Sequence, residues 1–123
     1  MVPAEVVAFR EPVLLVVEDE VLIRLSTSDF LRNEGFTVIE AGSAREALTV
    51  LNARSDVSVV VTDIHMSGAL DGLDLIREIR KSFPAVKIVT ASAYQITEPV
   101  EAVITKPYSL ERLSSVIRSL LGL

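Results

Sequence analysis

The sequence predicts an α/β protein, a doubly wound parallel sheet with helices on both faces. Three observations predict it. Short apolar runs recur along the chain, helical patterns fill the spaces between them, and the order of the two is β-α-β-α-β-α-β-short-β-α. Apolar runs without polar alternation suit parallel strands buried on both faces. Their alternation with helices calls for crossover connections, which lay the helices over the sheet.

Residues 1–11 (MVPAEVVAFRE) fall outside this pattern and are expected to be a loose leader, with one domain over 12–123. Val13–Val17 is fully apolar and reads as a central strand. The first helix spans about residues 20–34; Ser26-Thr27-Ser28-Asp29 interrupts its stripe, and Gly35 ends it. Thr37–Ile39 is a short second strand. Ser43-Ala-Arg-Glu46 has the spacing of a capping box, and Ala44, Ala47, Leu48 and Leu51 share one face after it. Val57–Val61 is the third strand. Leu75, Ile76, Ile79 and Phe83 form a helical stripe that Pro84 stops. Ala85–Val89 is the fourth strand and Ala102–Ile104 a short fifth. Ser109 caps a last helix that buries Leu110, Leu113, Ile117 and Leu120.

Composition narrows the function classes. A chain of 123 residues has the size of one domain and can bury a core without staples. Half the residues are apolar, which argues against disorder. The absence of cysteine excludes disulfides and thiolate metal sites and fits a reducing compartment. The longest apolar runs are far shorter than a bilayer span, and no signal peptide is evident. A net charge of −5 argues against a broad nucleic-acid footprint.

Ligand sites of such sheets lie beyond the carboxyl ends of the strands. Glu18, Asp19 and Glu20 follow the first strand, and Thr62 and Asp63 the third. Thr90, Ala91 and Ser92 follow the fourth, and Thr105, Lys106 and Pro107 the fifth. Carboxylates gathered at one edge repel unless a cation sits among them. Oxygen donors without sulfur or imidazole favour Mg²⁺, with Mn²⁺ or Ca²⁺ as substitutes. A lysine and a hydroxyl can hold phosphoryl oxygens, and an aspartate can accept a phosphoryl group. Each residue also has a plainer reading. Glu18-Asp19-Glu20 can be an acidic first helical turn, Asp63 a turn residue, Lys106-Pro107 an exposed turn, and His65 an ordinary loop side chain. Only their joint placement after alternate strands favours a site.

The motifs VLLVVEDE (13–20), VVVTDIHMSGALDGLDLI (59–76), TASAY (90–94) and TKPY (105–108) make the chain similar to the receiver family of two-component response regulators, in its chemotaxis-regulator-like form. The likeness runs from residue 13 to about 121. It implies a flavodoxin-like five-stranded sheet of order 2-1-3-4-5, with the receiver domain over 12–123. It further implies Asp63 as phosphoacceptor, Asp19 as direct metal ligand, Glu18 as a ligand often reached through water, and the backbone carbonyl of His65 as the last protein ligand of Mg²⁺. Lys106 would pair with a phosphoryl oxygen, and Ser92 would be the hydroxyl that swings onto it. The implied donor is a sensor histidine kinase or a histidine phosphotransfer protein in the cytoplasm. The downstream protein partner is open, and neither nucleic acid nor membrane is expected to be contacted directly. A receiver is consumed as substrate and does not turn over as an enzyme, though it assists its own phosphorylation and dephosphorylation. A pseudo-receiver that only binds partners, or an aspartyl-phosphate phosphohydrolase, stand as alternatives. The hydrolase would need a D-x-D after the first strand, which the chain lacks.

The chain departs from the family pattern in several places. Asp63 to Asp71-Gly72 is one residue longer than usual, and carrying that residue forward selects Ser92 over Thr90 as the switch hydroxyl. Ser67 stands where proline is usual. Val103 stands where a Tyr or Phe is common. Lys106-Pro107 can be cis or trans. Thirteen residues separate Ser92 from Lys106, with Pro99 among them. The helix expected there, fourth in the family's order, is therefore shortened to at most one or two turns. Residues 94–101 are then expected to be the most mobile part of the site face and to carry the output.

Overall fold

The computed structural model describes residues 12–64, 71–93 and 96–123. Five strands form one parallel sheet of order β2-β1-β3-β4-β5. They are β1 (Val13–Val17), β2 (Thr37–Ala41), β3 (Val57–Asp63), β4 (Lys87–Ser92) and β5 (Ala102–Thr105). Four helices alternate with them: α1 (Val21–Asn33), α2 (Ala44–Ala53), α3 (Gly72–Ser82) and α4 (Leu110–Leu121). The doubly wound architecture expected from the sequence is therefore present. The leader expected over residues 1–11 lies outside the described residues, as do His65, Ser67 and Tyr94.

Two apolar layers enclose the sheet. Leu15, Val17, Val60 and Ile88 pack with Leu51 of α2 and Leu75, Ile76 and Ile79 of α3. On the other face Leu14, Val16, Val59, Val61 and Val89 pack with Leu31 of α1 and Leu113 and Ile117 of α4. The face that each β3 residue takes depends on an irregularity. Val13 pairs with Val57 but Leu14 with Val59, so Ser58 has no partner in β1. Side chains alternate strictly along a strand. The extra residue therefore turns Val59 and Val61, and with them Asp63, toward the α1–α4 side.

The helix ends follow local chemistry. Ser43 accepts the amide of Glu46, but the Glu46 carboxylate takes the amide of Gly42, so the expected capping box closes one residue early. A reciprocal box does form at Asp71 and Asp74, which starts α3. Ser109 caps α4 through the amide of Arg112. Gly35 leaves α1 at φ +99°, in the left-handed region that glycine enters without a Cβ penalty. The polar stretch of α1 proves to be its buried side: Thr27 and Ser28 face inward with Leu31, while Val21, Leu22, Ile23 and Leu25 are exposed.

The connection from β4 to β5 departs furthest from expectation. Among the described residues 96–101 no helical turn remains. Nor is this stretch loosely held. Ile96 and Val100 pack on the α2–α3 core layer. Glu98 pairs with Arg77 and Glu101 with Arg80, so α3 clamps the connection from one side. Over 96–101, ion pairs and apolar anchors stand in place of the missing helix.

Candidate functional site

Asp63 is the last residue of β3, the central strand, and its side chain is 14% exposed. Its carboxylate is ion-paired with the ammonium of Lys106, the residue just beyond β5. Glu18 and Asp19 lie just beyond β1, next to β3 in the sheet. The placement after alternate strands expected from the sequence thus brings Glu18, Asp19, Asp63 and Lys106 to one open cleft of about 710 Å³. Its inner wall is apolar, from Val16, Val61, Val89 and Ile104, with Leu22, Ile23 and Leu113 of α1 and α4 at its sides.

The acidic loop is anchored through its backbone. The Glu18 amide donates to the Ala41 carbonyl at 3.0 Å, and Arg24 donates to the Glu18 carbonyl at 2.8 Å. Arg24 is held in turn by Glu40. The Glu18 carboxylate accepts the amide of Glu20 at 3.2 Å. Helix α1 begins only at Val21, so these acids precede it and are not its first turn. Burial pushes the Glu18 carboxyl above the usual range, and its hydrogen bond with Asp19 and the charge of Asp63 add to the effect. Lys106 shows the converse. Burial opposes its charge, but the hydrogen bond with Asp63 and that carboxylate's charge outweigh it and raise the ammonium pKa.

The two hydroxyl candidates differ in place and in commitment: Thr90 lines the cleft and Ser92 does not. Thr90 is fully buried, and its hydroxyl donates to the Thr62 carbonyl at 2.8 Å, within the sheet. Ser92 is at the end of β4, pairs with Thr105, and accepts the Lys106 amide through its carbonyl at 3.1 Å. It is 4% exposed and does not line the cleft itself. The Lys106–Pro107 bond, left open by the sequence, is cis.

Glu18, Asp19 and Asp63 form an all-oxygen donor set. Among the described residues, no three carboxylate or imidazole groups are already drawn into a metal cage. Asp63 leans to Lys106, and His65, the expected carbonyl donor, lies outside the described residues. Two supports were not read from the sequence. Nothing in the local pattern of α1 marks Arg24, and only its contacts reveal that it holds Glu18. The sequence marks Gly72 only by its distance from Asp63; its amide donates to the Ile64 carbonyl, and a Cβ there would meet the Asp63 carbonyl oxygen at 2.1 Å.

Comparison with known proteins bears on the family and the fold. A family profile described as response regulator receiver domain matches residues 14–118. The sensor kinase CckA of Brucella abortus is 34% identical over 117 residues, covering 88% of this chain and 12% of that protein. The two-component response regulator PhoP of Pseudomonas aeruginosa is 34% identical over 117 residues, covering 88% of this chain and 51% of that protein. The chain thus spans about half or less of these curated relatives. A CheY-like receiver domain protein from Methanospirillum hungatei superposes with a TM-score of 0.83 at 25% identity, covering 92% of this chain and 95% of that one. TrrA from Thermotoga maritima, solved in complex with Mg²⁺-BeF, superposes with a TM-score of 0.80 at 28% identity, covering 89% and 98%. With a parallel sheet of order 2-1-3-4-5 and a profile match over most of its length, the chain belongs to the response regulator receiver domain family of two-component phosphorelay signalling.

Proposed function

We propose that the chain accepts a phosphoryl group on Asp63 from a sensor histidine kinase or a histidine phosphotransfer protein and changes conformation in response. One observation carries this reading: a carboxylate at the end of the central strand is paired with Lys106 and faced by the acidic loop of Glu18 and Asp19. An Asp63 oxygen attacks the phosphorus of a phosphohistidine, the phosphorus–nitrogen bond breaks, and the imidazole leaves as a proton reaches its nitrogen. Lys106 then holds a phosphoryl oxygen in place of the carboxylate it now contacts. Its amide is bonded to the Ser92 carbonyl, so its movement is felt at the end of β4. Ser92 is the hydroxyl we assign to the phosphorylated state, because Thr90 is committed to the sheet.

The donor set fits Mg²⁺, with Mn²⁺ or Ca²⁺ as substitutes: every donor is oxygen, and carboxylates gathered in one cleft repel unless a cation sits among them. Asp19, Asp63 and the His65 carbonyl would bind it directly and Glu18 through water. When bound, the ion neutralises charge on the phosphoryl oxygens. That TrrA was solved with Mg²⁺-BeF supports this fit. Exposed Val21, Leu22, Ile23 and Leu25 offer a donor protein an apolar grip beside Asp63. No described helix is long and apolar enough to cross a membrane, and a cytoplasmic setting accords with the lack of cysteine.

The test is mass spectrometry after incubation with acetyl phosphate and Mg²⁺. The wild type should gain one phosphate and Asp63→Asn none. Equal incorporation in both would overturn the assignment.

A further inference from the structure

We propose that Arg80 and Glu101 act together as a register pin for β5 and are therefore positioning residues for Lys106. The proposal rests on the reading of Lys106 as the cation that serves Asp63.

β5 is the weakest-specified strand of the sheet. It has four residues, lies at the edge, and pairs only with β4. Its sequence, Ala-Val-Ile-Thr, carries adjacent β-branched apolar residues on opposite faces. Ile104 is buried at 4% exposure, while Val103 is 42% exposed. A slip of one residue exchanges the two faces of a strand. Here it would put Val103 in the place of Ile104, losing little more than a methylene group of burial. The apolar pattern of β5 thus discriminates poorly between the two registers. A slip would still move Lys106 along the strand by ~3.3 Å and turn it to the other face. Its contact with Asp63 would be lost.

The contacts just before β5 supply the missing discrimination. The Glu101 amide donates to the Ile88 carbonyl at 3.1 Å, and the Glu101 carboxylate accepts the Ile88 amide at 2.6 Å. Both ends of this bridge fall on one β4 residue, and Ile88 is fully buried. A slipped strand would leave its amide unpaired in the interior, which is costly. Arg80 locks the arrangement from α3. Its guanidinium reaches the same Glu101 carboxylate oxygen, the Pro99 carbonyl, and at 3.1 Å the Val86 carbonyl. One side chain thus ties α3, the turn before β4 and the connection into β5. At the other end of β5 the Ser92–Lys106 backbone bond sits in the register so fixed. Arg77–Glu98 also joins α3 to the connection, but its arginine is 57% exposed against 20% for Arg80, and Glu98 is bonded to no strand residue among the contacts described.

Isotope-labelled full chain, read by cross-strand nuclear Overhauser effects for the Ala91–Ile104 and Ser92–Thr105 pairs, tests the pin directly. Phosphate incorporation from acetyl phosphate with Mg²⁺ is the second readout. Arg80→Ala and Glu101→Ala should keep the β1–β3 signals, lose or shift the β4–β5 pairs, and slow incorporation by roughly 100-fold, as a misplaced reacting group does. Glu101→Gln keeps an acceptor for the Ile88 amide and should hold the register better than Glu101→Ala. Arg77→Ala should match the wild type in both readouts. Should Arg80→Ala fail to fold, the Glu101 pair decides. Unchanged cross-strand signals in Glu101→Ala overturn the proposal, whether or not incorporation slows, and so does an equal loss of register in Arg77→Ala. If the wild type takes no phosphate, the function proposed for Asp63 falls, while the register signals still decide the pin.

Discussion

Gly72→Ala is the perturbation whose consequence the structure specifies most closely. Gly72 opens α3 against the end of β3. A Cβ built on it meets the Asp63 carbonyl oxygen at 2.1 Å, the Ile64 carbonyl oxygen at 2.6 Å and the Ile64 Cα at 2.7 Å. Ordinary contact begins at 3.4 Å, so the backbone on one side must retreat by about 1.3 Å. All three atoms are main chain, and no side chain can rotate away. The Gly72 φ is not positive, so backbone strain adds nothing to the effect. In a free helix, alanine would be favoured over glycine by ~1 kcal/mol. Overpacking of about 1–3 kcal/mol outweighs that gain, so a net loss of up to ~2 kcal/mol is expected. The functional loss should exceed the stability loss. A 1 Å displacement of a reacting group can slow a reaction by ~100-fold, and the displaced backbone here belongs to Asp63 itself. Urea unfolding gives the first quantity, and the initial rate of phosphate incorporation gives the second. Gly35→Ala is the control, since Gly35 has φ +99° and open space around it. It should lower stability and leave the rate alone. Wild-type stability and rate in Gly72→Ala would refute the reasoning.

The remaining expectations are narrower. Lys106→Ala removes a side chain that is 40% exposed. It should leave unfolding nearly unchanged and abolish the spectral response to beryllofluoride; a wild-type response would remove Lys106 from the switch. Thr90→Val breaks a buried bond to the Thr62 carbonyl and should lower stability by about 1 kcal/mol while preserving that response. Ser92→Ala should do the reverse, and the opposite pattern would reassign the switch hydroxyl to Thr90. Burial alone would raise the Glu101 carboxyl, but Arg80 and the Ile88 amide outweigh it and hold the group below its ordinary 4.5. A carboxyl lowered on folding contributes stability above its unfolded pKa and loses it as pH falls through the folded one. The Ile88 amide resonance should therefore be steady from pH 7 to about 5 and move only as pH drops below the ordinary glutamate range. Movement centred above pH 5 would contradict the ion pair.

Local pattern was enough for much of this molecule. Apolar runs separated by helical stripes can bury themselves in few ways, so Val13–Val17 and Val57–Val61 already imply central parallel strands. Once the strands are parallel, residues just after them must share one edge. Glu18, Asp19, Asp63 and Lys106 were legible for that reason, as were the caps at Ser43 and Ser109, which act within one turn.

Tertiary structure decided what local pattern leaves degenerate. A fully apolar run has no period, so the side toward which Asp63 turns was set by the unpaired Ser58 in β3. The polar stretch of α1 looked like a break in its buried stripe, yet Thr27 and Ser28 are the buried side, because the sheet and α4 determine which face is covered. Length alone left the β4–β5 connection too short for a full helix. That it is tied to α3 rests on Arg77 and Arg80 meeting Glu98 and Glu101 about twenty residues away in sequence. Such pairings carry no periodicity and follow no motif. They exist only once packing has brought α3 alongside the connection, and so only the folded chain determines them.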